Sequence, residues 1–286
     1  MKINYNCMPC MVNQAVKVAE MTGAENREEL FRKIFGYLSD IDFEKTNPEV
    51  IGEIFGIIKK HVGVDDPYGE LKAHYNEMFL NMLDELSSKI DIADDPFRMA
   101  VVYAILGNII DFNPVHNSSI NNIMSMFDSA NTASLTIDDV DTLKTDIKKC
   151  KKLLYIGDNC GEICLDMLFI QKIKQQYSGI SVYFAVRGSA VVNDSTESDA
   201  YSVGMDKYAS IISNGDSSMG TVIERVSDEF RSVYDSADVI ISKGQANYES
   251  LSDEYDKNIY FLLVTKCEVI AKDIDVPVNS LLCMNK

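Results

Sequence analysis

The sequence predicts an α/β protein in which a mostly parallel sheet, covered by helices on both faces, follows a bundle of helices. Three observations carry this. Residues 1–150 repeat their apolar positions at helical spacing, residues 151–286 alternate short β-rich runs with segments of helical length, and each of those runs ends in a polar loop. The change of period falls near Asp138–Lys152, so we expect a helical domain over 1–150 and an α/β domain over 151–286.

In the first region Asn47-Pro48 reads as a helix start, with Asn47 as N-cap before a proline at the first helical position. Ile51, Ile54, Phe55, Ile58 and Val62 then recur every three or four residues. Asp66-Pro67 opens a second helix, with Leu71, Tyr75, Met78, Phe79, Met82, Leu83, Leu86 and Ile90 on one face. A third runs from Asp95-Pro96 through Met99 to about Ile110. The whole reads as five to seven helices.

In the second region strands are expected at Leu153–Ile156, Val182–Val186, Ser210–Ile212, Val239–Ile241 and Tyr260–Val264. Strands joined through helices are parallel, and ligands of such sheets bind beyond the carboxyl ends of the strands. The loops at those ends are therefore the place to look. They read Gly157-Asp158-Asn159-Cys160-Gly161-Glu162, Arg187-Gly188 running on to Asn193-Asp194, Asn214-Gly215-Asp216, Ser242-Lys243-Gly244-Gln245-Ala246-Asn247-Tyr248-Glu249, and Thr265-Lys266.

Composition narrows the chemistry. Twenty-seven basic against 44 acidic residues give a net charge of −17, which disfavours nucleic acid and anionic membrane surfaces. The longest apolar runs, around Met99–Leu106 and Ile259–Val264, fall short of a membrane span, and the N-terminus shows no signal peptide. Seven cysteines, an odd number, fit reduced thiols in the cytoplasm better than a disulfide framework.

Asp158, Asn159 and Asp194 offer two carboxylates and an amide, hard oxygen donors for Mg²⁺, Mn²⁺ or a similar ion. Arg187, Lys243 and Lys266 bring cations suited to phosphate oxygens to the same edge. A helix beginning near Gly161 would aim its N–H groups at an anion. Aspartate and asparagine also cap helices and form turns, and Asp158 alone reads as a cap. Three such donors beside three cations read as a site for phosphoryl chemistry.

These motifs resemble the metal-dependent damage-control phosphatases, in the subfamily with an N-terminal Cys-x-x-Cys. The resemblance lies in Asp158-Asn159-Cys160-Gly161-Glu162, Arg187-Gly188…Asn193-Asp194, Lys243–Glu249 and Lys266-Cys267. It extends to Cys7-Met8-Pro9-Cys10, Asp66-Pro67-Tyr68 and Gly107-Asn108-Ile109-Ile110-Asp111, and so spans nearly the whole chain. It implies a Rossmann-like α/β/α sandwich with a helical domain, and a divalent ion (manganese, magnesium, nickel or cobalt) on Asp158, Asn159 and Asp194. It also implies contact of Glu162 and Lys266 with a small phosphorylated metabolite. Cys160 stands where alanine is usual, and Ser195 where alanine is common; neither removes a proposed ligand.

The catalytic set expected is Asp158, Glu162 and Lys266, with Arg187, Lys243, Asn247 and Asn108 binding substrate or phosphate. None of the strand-end loops carries the Asp-x-Asp signature of phosphoaspartate phosphatases, which favours water over Asp158 as nucleophile. A methyltransferase using S-adenosylmethionine is one alternative, but it would want a Gly-x-Gly turn where Gly157-Asp158-Asn159 stands. The other is a non-catalytic metal or redox sensor built on Cys7 and Cys10, which would have no use for the polar strand ends. No second Cys-x-x-Cys completes a zinc site, so packing or redox sensitivity is the expected role of that pair. His61, His74 and His116 show no ligand spacing.

Overall fold

A computed structural model describes residues 1–108 and 120–286. Asp111 and His116, and the end of the helix expected to reach Ile110, lie outside the described residues. The described residues up to 150 contain eight α-helices: α1 (Met8–Met21), α2 (Arg27–Ser39), α3 (Asn47–Val62), α4 (Gly69–Leu80), α5 (Leu83–Asp91), α6 (Pro96–Gly107), α7 (Ile120–Asp128) and α8 (Val140–Lys149). That exceeds the expected five to seven, partly because the single helix expected over Asp66–Ile90 is two. At Met82 the backbone N–H turns to the Phe79 carbonyl, a tighter three-residue step that ends α4 and lets α5 restart.

The cap of α3 also differs from expectation. Thr46, not Asn47, is the N-cap: its hydroxyl accepts from Glu49 N, and Glu49 Oε2 accepts from Thr46 N at 2.7 Å. This reciprocal pair satisfies two otherwise orphaned N–H groups. Asn47 is thereby freed to donate to Glu249 at 3.0 Å. Asp95 caps α6 as its place before Pro96 suggests, accepting from Phe97 N and Arg98 N.

The remaining helices, α9 (Glu162–Gln176), α10 (Glu197–Val203), α11 (Asp228–Ser236), α12 (Gly244–Leu251) and α13 (Glu268–Ile274), alternate with strands. The seven strands are β1 (Ile137–Asp138), β2 (Lys152–Ile156), β3 (Ser181–Val186), β4 (Ser210–Ser213), β5 (Val239–Lys243), β6 (Ile259–Val264) and β7 (Leu281–Asn285). They lie in the order β1-β7-β6-β5-β2-β3-β4, and only the β6–β7 pairing is antiparallel. All five strands expected from the sequence are present; β1 and β7 are additional.

Strand alternation sends Leu153 and Tyr155 to one face of the sheet and Leu154 and Ile156 to the other. The first face packs on α4–α6, α8 and α9, in a cluster that includes Tyr75, Leu86, Phe97, Leu143 and Phe169 and crosses residue 150 without a break. The second packs on α11, α12 and α13 through Phe230, Tyr248 and Ile270. Helices α1–α3 form a third cluster with Tyr68, Val191 and Val192. No helix among the described residues is long and apolar enough to cross a membrane.

This topology locates the site. From β2 the chain runs outward through β3 and β4, then returns to β5 on the other side of β2 and continues to β6. The loops after β2 and β5 therefore diverge and leave a crevice at their carboxyl ends.

Candidate functional site

Backbone bonds draw two distant loops together over that crevice. Ser195 N donates to Asp158 O at 2.8 Å and Cys160 N to Asn193 O at 2.9 Å, while Asn159 and Asp194 pair as an isolated antiparallel bridge. These contacts bring Asp158, Asn159 and Asp194 to one wall. Just before Asp194, Val192 sits at φ 47°, a left-handed conformation that strains a β-branched residue and that the surrounding bonds hold in place.

The two inner cations grip carboxylates. Arg187, 2% exposed, donates Nε to Asp194 Oδ2 at 2.6 Å, and a terminal nitrogen lies 3.4 Å from Asp158 Oδ1. Its other terminal nitrogen reaches Asn247 Oδ1 at 3.0 Å and Thr221 Oγ1 at 3.2 Å. Asn247 in turn donates to Gly157 O and Lys243 O, tying the β2 and β5 ends together. Lys243 is fully buried and donates to Glu162 Oε1 at 3.0 Å and Asp166 Oδ1 at 2.7 Å. Burial works to lower the Lys243 ammonium, but Asp166 and Glu162 outweigh it and keep the group charged.

Glu162 is buried as well. Its Oε2 accepts from Asn108 at 3.0 Å and Asn159 at 3.1 Å, and both amides also donate to Asp158 Oδ2. Asn108 Oδ1 has no hydrogen-bond donor among the described residues. Asp166, one turn beyond Glu162 on α9, also takes the Tyr155 hydroxyl at 2.6 Å. Sequence reading passed over Asp166, although its four-residue spacing from Glu162 places both on one helix face.

A cavity of about 460 Å³ opens from this cluster, the size of a small-molecule site. Asp158, Asn159, Asp194 and Lys266 line it, with Asn47, Gln245 and Glu249 beside them. Lys266 is exposed, and its backbone N–H is held by Gln245 Oε1 at 3.1 Å. Glu162, Arg187, Lys243, Asn247 and Asn108, expected to touch substrate or phosphate, are not among the residues that line the cavity, and their side-chain polar atoms, Asn108 Oδ1 apart, bond to neighbours. Their geometry is that of positioning groups. The N–H of Gly161, expected to face an anion, donates to Asn76 Oδ1 at 2.6 Å. The far wall holds a surprise: Cys7 and Cys10, which sequence reading assigned to packing or redox, line the same cavity with Cys267. None of the described histidines does.

The buried charges do not balance. Among the described residues Asp158, Glu162, Asp166 and Asp194 form ion pairs only with Arg187 and Lys243, so the cluster holds two more carboxylates than paired cations, the complement of one divalent cation once both are ionised. Burial, then repulsion from Asp194 and Glu162, raises the Asp158 carboxyl well above the usual range against the pull of Arg187 and Lys266. Burial likewise lifts Asp194 to about 6, with Arg187 opposing. Arg187 takes one oxygen of each carboxylate; the other Asp158 oxygen accepts from the Asn108 and Asn159 amides, while Asp194 Oδ1 is left for another partner. Among the described residues no three His, Cys, Asp or Glu side chains gather closely enough to hold a metal by themselves. Two carboxylates and the Asn159 amide, with the charge deficit, fit a hard ion that keeps water in its shell.

The sequence profile of the damage-control phosphatase ARMT1-like domain matches residues 3–282. A damage-control phosphatase of Pyrococcus horikoshii is 34% identical over 289 residues, covering 99% of this chain and 98% of the relative. One from Archaeoglobus fulgidus is 31% identical over 288 residues, covering 98% of each. The crystal structure of a DUF89 family protein from P. horikoshii superposes with a TM-score of 0.90 at 33% identity, over 100% of this chain and 99% of that one.

Proposed function

The chain belongs to the damage-control phosphatase family with an ARMT1-like domain, and from that premise we propose that it is a divalent-metal-dependent phosphatase of small phosphorylated metabolites. The observation that carries this reading is the excess of two buried carboxylates over paired cations among Asp158, Glu162, Asp166 and Asp194, with the Asn159 amide and the exposed Lys266 beside them. In this proposal residues 151–286 are the catalytic unit and residues 1–150 its helical cover. Seven unpaired cysteines favour a reducing compartment, the cytoplasm.

Asp158, Asn159 and Asp194 would hold manganese, magnesium, nickel or cobalt. When bound, such an ion polarises a phosphoryl oxygen and makes water a better nucleophile. Lys266 would meet the phosphoryl oxygens and neutralise charge that builds on them in the transition state. Arg187 keeps Asp158 and Asp194 aimed at one point. Lys243 holds Glu162 in place through their ion pair, and Glu162 with Asn108 fixes the Asn159 amide and the Asp158 carboxylate. Pre-organisation of this kind spares the site reorganisation during reaction. With both Asp158 oxygens already engaged by Arg187, Asn108 and Asn159, water remains the favoured nucleophile.

The test is phosphate release from an aryl phosphate and a panel of sugar phosphates by chelator-stripped protein, supplied separately with Mg²⁺, Mn²⁺, Co²⁺ and Ni²⁺. Turnover restored by metal and abolished by Asp158→Ala and Asp194→Ala is the expected result. Equal turnover in the substituted proteins, or none with any metal, overturns the proposal.

A further inference from the structure

We propose that Cys7 and Cys10 form a dithiol modification site on the cavity wall, which low-molecular-weight disulfides oxidise and thiols restore. Four of the seven cysteines, Cys150, Cys160, Cys164 and Cys283, are buried. The three that solvent reaches are Cys7, Cys10 and Cys267, and all three line the cavity that contains Asp158 and Lys266. Two of them flank the start of α1 and one follows β6 as the N-cap of α13, so their meeting is a product of the fold.

Cys7 closes a 3₁₀ turn and is the residue before α1, and Cys10 is the third residue inside it. Residues three apart on a helix share a face, so the two sulfurs can meet without any shift of one part of the chain against another. Pro9, early in α1, fixes that turn. Cys10 is the exposed member and Cys7 the half-buried one, so Cys10 meets the oxidant first. Burial raises both thiols, so Cys10 first gives up its proton to solvent, in alkaline buffer most readily; its sulfur then attacks the small disulfide, forming a mixed disulfide and releasing one thiolate, which takes up a proton. The Cys7 thiolate then attacks the Cys10 sulfur and expels the second. Two protein thiols and one small disulfide become one protein disulfide and two small thiols.

One side chain ties this thiol cluster to the reacting end. Gln245 donates Nε2 to Cys267 Sγ at 3.5 Å and to Glu249 Oε1 at 3.2 Å, and its Oε1 accepts the backbone N–H of Lys266. Cys7 and Cys10 line the same cavity as Cys267, Gln245 and Glu249, so bridging them reshapes the lining shared with Lys266.

The experiment equilibrates the folded protein with reduced and oxidised glutathione in defined ratios, maps disulfides by peptide mass, and measures phosphate release on the same samples. We expect a single Cys7–Cys10 disulfide, at least a tenfold loss of turnover, and recovery of both with dithiothreitol. Cys10→Ser abolishes the response, whereas Cys267→Ser keeps the disulfide. Cys7 and Cys10 that stay reduced while folded, or that pair with Cys267 instead, overturn the site. A mapped disulfide with unchanged turnover overturns its effect on the cavity. The second readout rests on the phosphatase reading, but the disulfide map does not. A protein without turnover in the reduced state therefore sinks that reading and still scores the thiols.

Discussion

Gly244→Ala should damage the site far more than the fold. Gly244 opens α12 at φ +77°, a conformation that costs an alanine about 1–2 kcal/mol. A Cβ built there falls 2.5 Å from Asp158 Cγ and closer still to Oδ2, whereas ordinary contacts begin near 3.4 Å. The Asp158 carboxylate must therefore retreat by about 1 Å, away from Arg187, Asn108 and Asn159. A displacement of that size at a reacting centre costs roughly a hundredfold in rate. Its stability cost is the backbone term plus the loss of one or two buried hydrogen bonds, together about 2–4 kcal/mol. The assay is phosphate release at saturating metal, run beside urea unfolding followed by circular dichroism. We expect turnover to fall about a hundredfold or more while the variant still unfolds cooperatively. Turnover within threefold of wild type would show that Asp158 need not stand where Gly244 allows it, and would refute the reasoning.

Two further outcomes concern the buried charges. Lys243→Met strands Glu162 and Asp166 without their cation and should cost about 3–5 kcal/mol in urea unfolding; a loss under 1 kcal/mol would mean that the carboxylates find another partner. Burial lifts Asp166 to about 6, with Lys243 opposing, so the folded chain keeps that proton up to about pH 6 while the unfolded chain gives it up near 4. The stability contributed by the protonated form is thus present below about pH 4 and lost as pH rises to 6. In chelator-treated protein the unfolding free energy of wild type minus that of Asp166→Asn should fall over that window by about 3 kcal/mol, and a flat or rising difference contradicts the raised carboxyl.

Much of this site could be read from the chain, and the reason is local. A strand that stops at a ligand must be followed by residues that bend the chain and carry polar groups, so Gly157-Asp158-Asn159, Arg187-Gly188 and Lys243-Gly244 marked their strand ends before any coordinates did. The missed strands had no such signal. β1 is two residues long, and the pairing of Leu281–Asn285 with β6 depends on a partner some twenty residues away. The α3 cap was legible in Thr46-Asn47-Pro48-Glu49, whose Thr and Glu stand at capping-box spacing; the eye fell on Asn47, whose amide serves Glu249 instead.

Residue type could not sort the cations. Arg187, Lys243 and Lys266 read alike, yet only Lys266 faces the cavity, because β5 and β6 end at different depths beneath it. Lys243 is the last residue of its strand and points into the first core cluster's edge at Glu162 and Asp166, whereas Lys266 lies two residues past the end of β6. The same depth decides the carboxylates. Those that the buried cations reach, Glu162 and Asp166, are spoken for, and the deficit is left on Asp158 and Asp194, which Arg187 must share. The proposed divalent site would therefore be less a set of ligands than a place where the protein's own cations run out. That is why replacing Arg187 or Lys243, neither of which lines the cavity, should change metal affinity as surely as replacing a ligand.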